Sequence, residues 1–372
     1  MRITIGVITL FITTMGLAQF GTQKVVPNIL GDSIFNESPE FFTMEWKKGT
    51  TLTKLETDIY IDIDSTGLQS VNMLVDEKGL PVLYNSNISA PVCADGECRL
   101  MEIRLYWNIL GRYAGFDRIK GLPLTKHDHD EFLEADYLKL HQLLIDDNSI
   151  LKRREIEDLV ETPKDSIMAD VDGISGATKE EVKESVVSGA LYSCYIAWNL
   201  VHGEVKSEIM NHTLSLMSYE MVIGMLYSNN VDYQFFALNT LNEYQYEDHY
   251  IRVAEIFKTG IPLVRTFIVK SLPRSFWKSD ELQKPFWECF SIIDVNSRSL
   301  MLDHLEKASE SVIESISAEL QIMTKNQLKK YLQDLKERGN LSAVTMINLE
   351  VFAISENATF VYLVKEFLEG KN

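Results

Sequence analysis

The sequence lacks any apolar stretch long enough to cross a membrane, and it has few basic residues. The 372-residue chain contains 36 lysines and arginines against 54 aspartates and glutamates, which gives a formal net charge of −18. A transmembrane helix needs about 20 consecutive apolar residues, so we predict no integral membrane span. The shortage of basic residues argues against a nucleic-acid partner and against docking on an anionic membrane surface, because both interactions need cationic groups.

Several common catalytic fingerprints are also absent. The chain contains no Gly-x-Ser-x-Gly nucleophile elbow, no His-Glu-x-x-His zinc motif, no P-loop and no Rossmann glycine pattern. Hydrophobic residues make up 45% of the sequence and aromatic residues 10%, which is ordinary for a folded protein and excludes a collagen-like, low-complexity or disordered chain. The length allows two or three domains.

The first residues have the pattern of a secretory signal. Arg2 precedes an apolar run over residues 3–12, and the small-residue pattern Gly16-Leu17-Ala18 follows. A positive end, a short apolar centre and a small-x-small sequence predict a signal peptide over residues 1–18, cleaved after Ala18. We therefore expect an exported protein, periplasmic or extracellular. An N-terminal core helix or an uncleaved anchor is the alternative.

Two of the four cysteines flank a turn sequence. Cys93 and Cys98 are separated by four residues, and the central pair Asp95-Gly96 favours a type I′ hairpin turn. That turn sets the two cysteines opposite each other, within reach of a disulfide. Such a bond persists in the oxidising compartments to which exported proteins are delivered. A redox-active pair is the alternative. Cys194 and Cys289 lie in helical patterns and are expected to be buried thiols.

The pattern along the chain predicts an α+β protein with a β-rich part followed by an all-α part. We expect an irregular lead-in over residues 19–44, an α+β domain over 45–203 and an α-helical domain over 204–372. Strand alternation is clearest over 57–64, Asp76 to Leu80 is a turn, and Asp130 is placed to cap a helix. Short amphipathic runs begin near residues 219, 231, 260, 283, 309, 341 and 358. Their weak self-similarity favours a HEAT-like or armadillo-like repeat, with an ordinary helical bundle as the alternative.

The segment at residues 171–181 is the distinctive motif of the chain. Thr178 and Glu181 form a capping-box pattern, Thr-x-x-Glu, ahead of the apolar run Val182, Val186, Val187, Ala190 and Leu191. Small residues precede Thr178 and allow a ligand to approach the backbone. A helix beginning at Thr178 would offer unpaired N–H donors and a partial positive charge, which suit a phosphate group.

The same segment resembles the flavinylation motif, Asp-x-x-Ser-Gly-Ala-Thr, of the FMN-binding domain family. That family includes respiratory-complex flavin subunits and exported flavin reductases, in which a flavin transferase joins FMN to the threonine as a phosphoester. The resemblance implies an α+β fold, electron transfer outside the cytoplasm, the flavin transferase as a partner, and an unidentified redox partner protein. It assigns FMN attachment to Thr178 and a recognition and phosphate-binding role to the preceding residues Asp172, Ser175, Gly176 and Ala177. The alternative is a non-catalytic extracytoplasmic binding or scaffold protein whose related domain carries no flavin.

Two further groups of residues are weaker candidates for a functional site. His127, His129 and His141 lie within fifteen residues of one another and could chelate a metal, although solvated loop positions are the commoner role. The aromatic residues Trp107, Tyr113 and Phe116 could stack on a flavin ring, although packing in the core is the commoner role for such side chains.

Overall fold

The structure is a computed structural model that describes residues 33–63, 66–92, 100–127, 129–155, 160–161, 177–178, 180–356 and 358–370. The chain forms two compact units, residues 1–216 and 217–372. The strands of the described residues all belong to the first unit, which also contains helices, and the regular elements of the second unit are all helices. The predicted α+β class is confirmed.

A curled antiparallel sheet forms the centre of the first unit. Its strands run in the spatial order β1-β3-β4-β5-β6-β7-β2. The strands are β1 (Ile34–Phe35), β2 (Phe41–Phe42), β3 (Leu52–Ile63), β4 (Gly67–Val75), β5 (Pro81–Ala90), β6 (Met101–Asn108) and β7 (Tyr113–Arg118). The lead-in therefore joins the sheet, because β1 pairs with β3 and β2 pairs with β7. The sequence predicted an irregular lead-in over residues 19–44, so neither β1 nor β2 was expected.

The local strand and turn patterns are confirmed. The alternating residues of 57–63 lie in β3, which pairs with β4 and shifts register between Glu56 and Tyr60. The turn after β4 is closed by the Asp76 carbonyl, which accepts from the Gly79 N–H at 2.9 Å, and by the Asp76 N–H, which donates to the Leu80 carbonyl at 3.0 Å. Gly79 has φ +80°, a conformation in which glycine avoids the Cβ penalty.

Helices and a small second sheet complete the first unit. They are α1 (Glu134–Ile145), β8 (Val160–Glu161), β9 (Ala177–Thr178), α2 (Glu180–Lys183), α3 (Leu191–His202) and α4 (Val205–Ser215), with a 3-10 helix over Ile150–Arg153. Within this unit α1 packs on β7, α3 on β6 and α4 on β3. The helix predicted near Asp130 begins instead at Glu134. Leu133 is its N-cap residue, and the Leu133 N–H donates to the Asp136 carboxylate at 2.8 Å, so the predicted Asp130 cap is wrong.

Two buried aromatic side chains fix helices to the sheet by hydrogen bonds. The Tyr84 hydroxyl lies 2.8 Å from His212 Nδ1 and 3.0 Å from the Thr213 hydroxyl, both on α4. The Trp107 indole N–H donates to the Val201 carbonyl on α3 at 3.0 Å. Because Tyr84 and Trp107 are fully buried, these polar atoms need partners, and the partners set how the helices lie on the sheet.

The second unit is a succession of short helices. They are α5 (Tyr219–Tyr227), α6 (Val231–Thr240), α7 (Glu243–Asp248), α8 (Tyr250–Thr259), α9 (Pro262–Ser271), α10 (Asp280–Trp287), α11 (Val295–Leu302), α12 (Glu310–Ser317), α13 (Lys325–Arg338), α14 (Ala343–Ala353) and α15 (Val361–Glu369), with 3-10 helices over Phe276–Lys278, Leu305–Lys307 and Leu320–Ile322. Contacts follow two rows, one of α8, α10, α12 and α14, and one of α6, α9, α11, α13 and α15. Within the described residues, no helix combines the length and apolarity that a membrane crossing requires.

Candidate functional site

Part of the predicted flavin motif is described by the structure. Asp172, Ser175 and Gly176 lie outside the described residues, as do the signal segment and the Cys93–Cys98 pair. Ala177 and Thr178 form β9, which pairs antiparallel with β8 in the register Val160↔Thr178 and Glu161↔Ala177. The backbone of the proposed attachment residue is therefore held by strand pairing.

The long helix expected to begin at Thr178 is not formed. α2 contains four residues, and the apolar residues that follow it are buried without forming one helix. α2 ends at Lys183, turns follow up to Gly189, which has φ +73°, and α3 begins only at Leu191. The predicted continuous helix is wrong, because apolar spacing alone does not show where the backbone turns, whereas the N-cap at Thr178 stays a prediction because Lys179 lies outside the described residues. A one-turn helix also provides little dipole for a phosphate group.

The segment that follows Thr178 is anchored to α1 and to the loop before α1. The Lys139 ammonium group on α1 donates to the Lys183 carbonyl at 3.3 Å. The His127 N–H donates to the Gly189 carbonyl at 2.7 Å. Val182 and Val187 are completely buried beside these anchors. Backbone hydrogen bonds and apolar burial together define where this segment lies in the first unit.

Cationic side chains lie on the elements that anchor this segment. Lys139 contacts it directly, and Lys126 forms a 2.8 Å ion pair with Asp136. Burial raises the pKa of the Asp136 carboxyl, but hydrogen bonds from Lys126 and from the Leu133 N–H lower it more, so the pKa lies below its ordinary value. Asp136 is therefore ionised at neutral pH and keeps Lys126 beside α1.

A buried thiol lies immediately after the same segment. Cys194 on α3 is completely buried, and its sulfur accepts from the Val187 N–H at 3.4 Å. Burial raises the pKa of this thiol to about 12. A thiol with such a pKa is not a nucleophile at neutral pH, and its role is packing. Cys289 is also a free, buried thiol, so both cysteines match the prediction.

The histidines do not form a metal site in the described part of the chain. His127 and His129 are exposed, whereas His141 lies in an aromatic cluster with its Nδ1 atom 2.7 Å from the Tyr113 hydroxyl. Burial lowers the pKa of His141. Within the described residues, no group of three or more His, Cys, Asp or Glu side chains is placed to share a metal ion.

The candidate flavin-stacking aromatics are core residues. Trp107 is bonded to α3, Tyr113 contacts His141, and the Phe116 ring stacks on the Phe41 ring with their centroids 4.5 Å apart. All three side chains are buried. None of them presents a free ring face at the surface, so the packing interpretation fits the structure.

A polar cleft of about 700 Å³ lies between the lead-in and the strands β6 and β7, and no sequence motif predicted it. Asp117 is its central group: one carboxylate oxygen accepts from the Glu40 N–H at 2.7 Å, and the other from the Tyr106 hydroxyl at 2.6 Å. Burial raises the pKa of Asp117. Arg118 forms ion pairs with Glu40 and Glu134. These charged groups pair with one another, and the pairs hold the lead-in against the sheet.

Comparisons with known proteins gave no match: no family model matches the chain, and neither the curated proteins nor the solved structures contain a significant relative.

Proposed function

We propose that this protein is an exported flavoprotein that carries FMN on Thr178 and takes part in extracytoplasmic electron transfer. The observation that carries the proposal is the segment 172–178, which contains every specified residue of the Asp-x-x-Ser-Gly-Ala-Thr pattern. The α+β fold of the first unit, with an antiparallel sheet ahead of the motif, supports it.

We propose Thr178 and Lys139 for the phosphate end of FMN. The hydroxyl of a threonine at position 178 supplies the ester oxygen. Lys139 lies on the helix that contacts the segment after Thr178, at the Lys183 carbonyl, and its charge would stabilise a phosphodiester anion bound nearby. The short α2 adds little from its backbone, so a covalent bond is the main means of retention. When bound, FMN supplies one- and two-electron transfer, while the chain fixes the cofactor and shapes its surroundings.

For the second unit, we propose a helical-repeat module that binds the redox partner. The two rows of helices support this architecture. The helices α6, α9, α11 and α13 begin at residues 231, 262, 295 and 325, at intervals of 31, 33 and 30 residues. Those intervals are nearer to the 34-residue helix–turn–helix repeats than to the roughly 40–47 residues of HEAT and armadillo repeats. The proposed module is therefore a short-period repeat.

The decisive experiment is expression of the full chain together with a flavin transferase and an export system. We expect flavin fluorescence that survives denaturing electrophoresis, and a tryptic peptide containing Thr178 that is heavier by one FMN less one water. Thr178→Ala should abolish both signals, whereas Thr178→Ser keeps a hydroxyl at the position and should retain some flavin. A folded, colourless protein with an unmodified peptide would overturn the proposal and favour a flavin-free extracytoplasmic binding or scaffold protein.

A further inference from the structure

The polar cleft of the first unit carries charges of opposite sign on its two sides. From the sheet side, the strands β6 and β7 and the turn after β7 contribute three cations and one carboxylate: Arg104, Arg118, Lys120 and Asp117. The lead-in contributes two carboxylates from the opposite side: Glu37 and Glu40. The positive and negative charges that line the cleft are therefore equal in number, but the cations lie on the sheet side.

Two of these charged side chains are not used to hold the lead-in. The pairs that hold it involve Glu40, Asp117 and Arg118. Glu37 and Lys120 are exposed, and neither side chain forms an ion pair or a hydrogen bond with another described residue. The cleft thus presents one unpaired carboxylate from the lead-in and one unpaired ammonium group from the sheet side.

The same cleft has an apolar part. Ile34, which is 57% exposed, the half-buried Phe35 and the buried Ile119 line it. The Arg104 guanidinium lies 5.5 Å from the centroid of the Phe35 ring, and the Tyr106 ring meets that ring edge-on with the centroids 6.4 Å apart. Phe35 is therefore fixed in place, and an apolar group in the cleft can pack against it and against Ile34.

The volume and the charges together define the kind of ligand that fits. The volume of about 700 Å³ lies within the range of about 300–1,000 Å³ that is typical of small-molecule sites. A ligand with only negative charge is repelled by Glu37 and Glu40, and one with only positive charge is repelled by Arg104 and Lys120. A molecule that carries both charges and no net charge meets an opposite charge on each side.

We infer that this cleft binds a small zwitterion with an apolar side chain, either a free α-amino acid or a dipeptide. Its ammonium group contacts Glu37, its carboxylate contacts Lys120, and its side chain packs on Ile34 and Phe35. None of the residues that line the cleft belongs to the segment 172–178, so the inference is independent of the flavin proposal.

Isothermal titration calorimetry of the dialysed full chain with L-leucine and with L-leucyl-L-leucine tests the inference. We expect one ligand molecule to bind per chain, and the tighter of the two probes identifies the amino acid or the dipeptide as the ligand. Leucinamide lacks the carboxylate and 4-methylpentanoate lacks the ammonium group. Each of these analogues should bind at least about fivefold more weakly than leucine, because it loses one of the two ion pairs.

Two substitutions assign the two contacts. Glu37→Gln and Lys120→Gln each change an exposed, unpaired side chain, so neither should alter the circular dichroism spectrum or the urea midpoint. Each should weaken leucine binding about fivefold. Glu37→Gln should also remove the preference for leucine over 4-methylpentanoate, and Lys120→Gln the preference for leucine over leucinamide. The matched control is Lys48→Gln, an exposed lysine outside the cleft, which should bind like the wild type.

Three results would overturn the inference. The first is the absence of any heat of binding with leucine and with leucyl-leucine up to about 10 mM. The second is binding of leucinamide or 4-methylpentanoate as tight as that of leucine, which would show that the two charges are not both recognised. The third is an affinity within about twofold of the wild type in both Glu37→Gln and Lys120→Gln, which would place the bound ligand outside this cleft.

Discussion

Replacing Gly115 with alanine should detach the lead-in strand β2 from the sheet. Gly115 lies on β7 opposite Phe42 of β2. A Cβ atom at position 115 would be 2.1 Å from the Phe41 carbonyl oxygen and 3.2 Å from the Phe42 Cα. The φ of Gly115 is outside the left-handed region, so alanine itself is not strained there. The cost therefore comes from the backbone of β2, which must move by more than an ångström.

The structure sets the size of the effect. β2 buries Phe41, which is 6% exposed and stacks on Phe116, and burial of such a side chain contributes about 2–3 kcal/mol. The Thr43 N–H and hydroxyl both donate to the Ala114 carbonyl, at 2.9 and 3.0 Å, and each bond contributes about 1 kcal/mol. Complete detachment thus costs roughly 4–5 kcal/mol, and a shift of β2 that keeps part of these contacts costs about 2 kcal/mol.

Urea unfolding and amide hydrogen exchange measure the effect. We expect a loss of about 2–5 kcal/mol in the free energy of unfolding of the first unit and much faster exchange of the Thr43 amide. The control is Gly224→Ala in the interior of α5, where a Cβ meets nothing within 4 Å and alanine should stabilise the helix by about 0.5–1 kcal/mol. A Gly115→Ala variant within about 0.5 kcal/mol of the wild type, with Thr43 still protected, would refute the placement of β2.

Two further predictions concern the cysteines and the partly buried His202. The strands β5 and β6 pair as far as Ala90 and Met101, and the Cys93–Cys98 disulfide between them stays a prediction. In denatured, unreduced, exported protein we therefore expect thiol reagents to label Cys194 and Cys289 only, and labelling of all four cysteines without reduction would contradict the disulfide. Burial lowers the pKa of His202 below its ordinary value, so the unfolded state binds a proton more readily. The free energy of unfolding should therefore fall as the pH is lowered from about 7.5 to 5.5. The urea midpoint measured at both pH values gives the size of this fall. If the fall is as large in His202→Gln as in the wild type, the pH dependence arises elsewhere.

Local patterns predicted much of the sheet, whereas pairing over long distances was not predictable. The alternation in β3 and the Asp76–Leu80 turn are properties of neighbouring residues, so the sequence reveals them directly. The strands β1 and β2 contain two residues each and exist because they meet β3 and β7 far along the chain. The Asp117 cluster is missed for the same reason, since its carboxylate is partnered from residue 40.

The apolar periodicity did not predict some helices, and the reason is different. α13 has buried apolar residues such as Leu328 and Leu335, but its sequence, KNQLKKYLQDLKER, is dominated by charged and amide side chains. A polar helix is fixed by its caps and its neighbours. Thr324 and Gln327 form its capping box, and the Gln327 amide also donates to the Val295 carbonyl on α11. Tertiary contacts therefore decide what the periodicity alone does not.

Because α2 is short, the flavin proposal requires the ester bond at Thr178 to retain FMN. A helix of one turn has too small a dipole to hold a phosphate by itself, so FMN held without an ester bond would rely on side chains such as Lys139. Thr178→Ala should then lose flavin from the native protein on gel filtration, as well as on the denaturing gel. Lys139→Gln is the companion variant: it keeps the Thr178 hydroxyl, so the ester should still form, with a lower yield. Native Thr178→Ala protein that still co-elutes with stoichiometric flavin would show that the attachment residue and the binding site are separate.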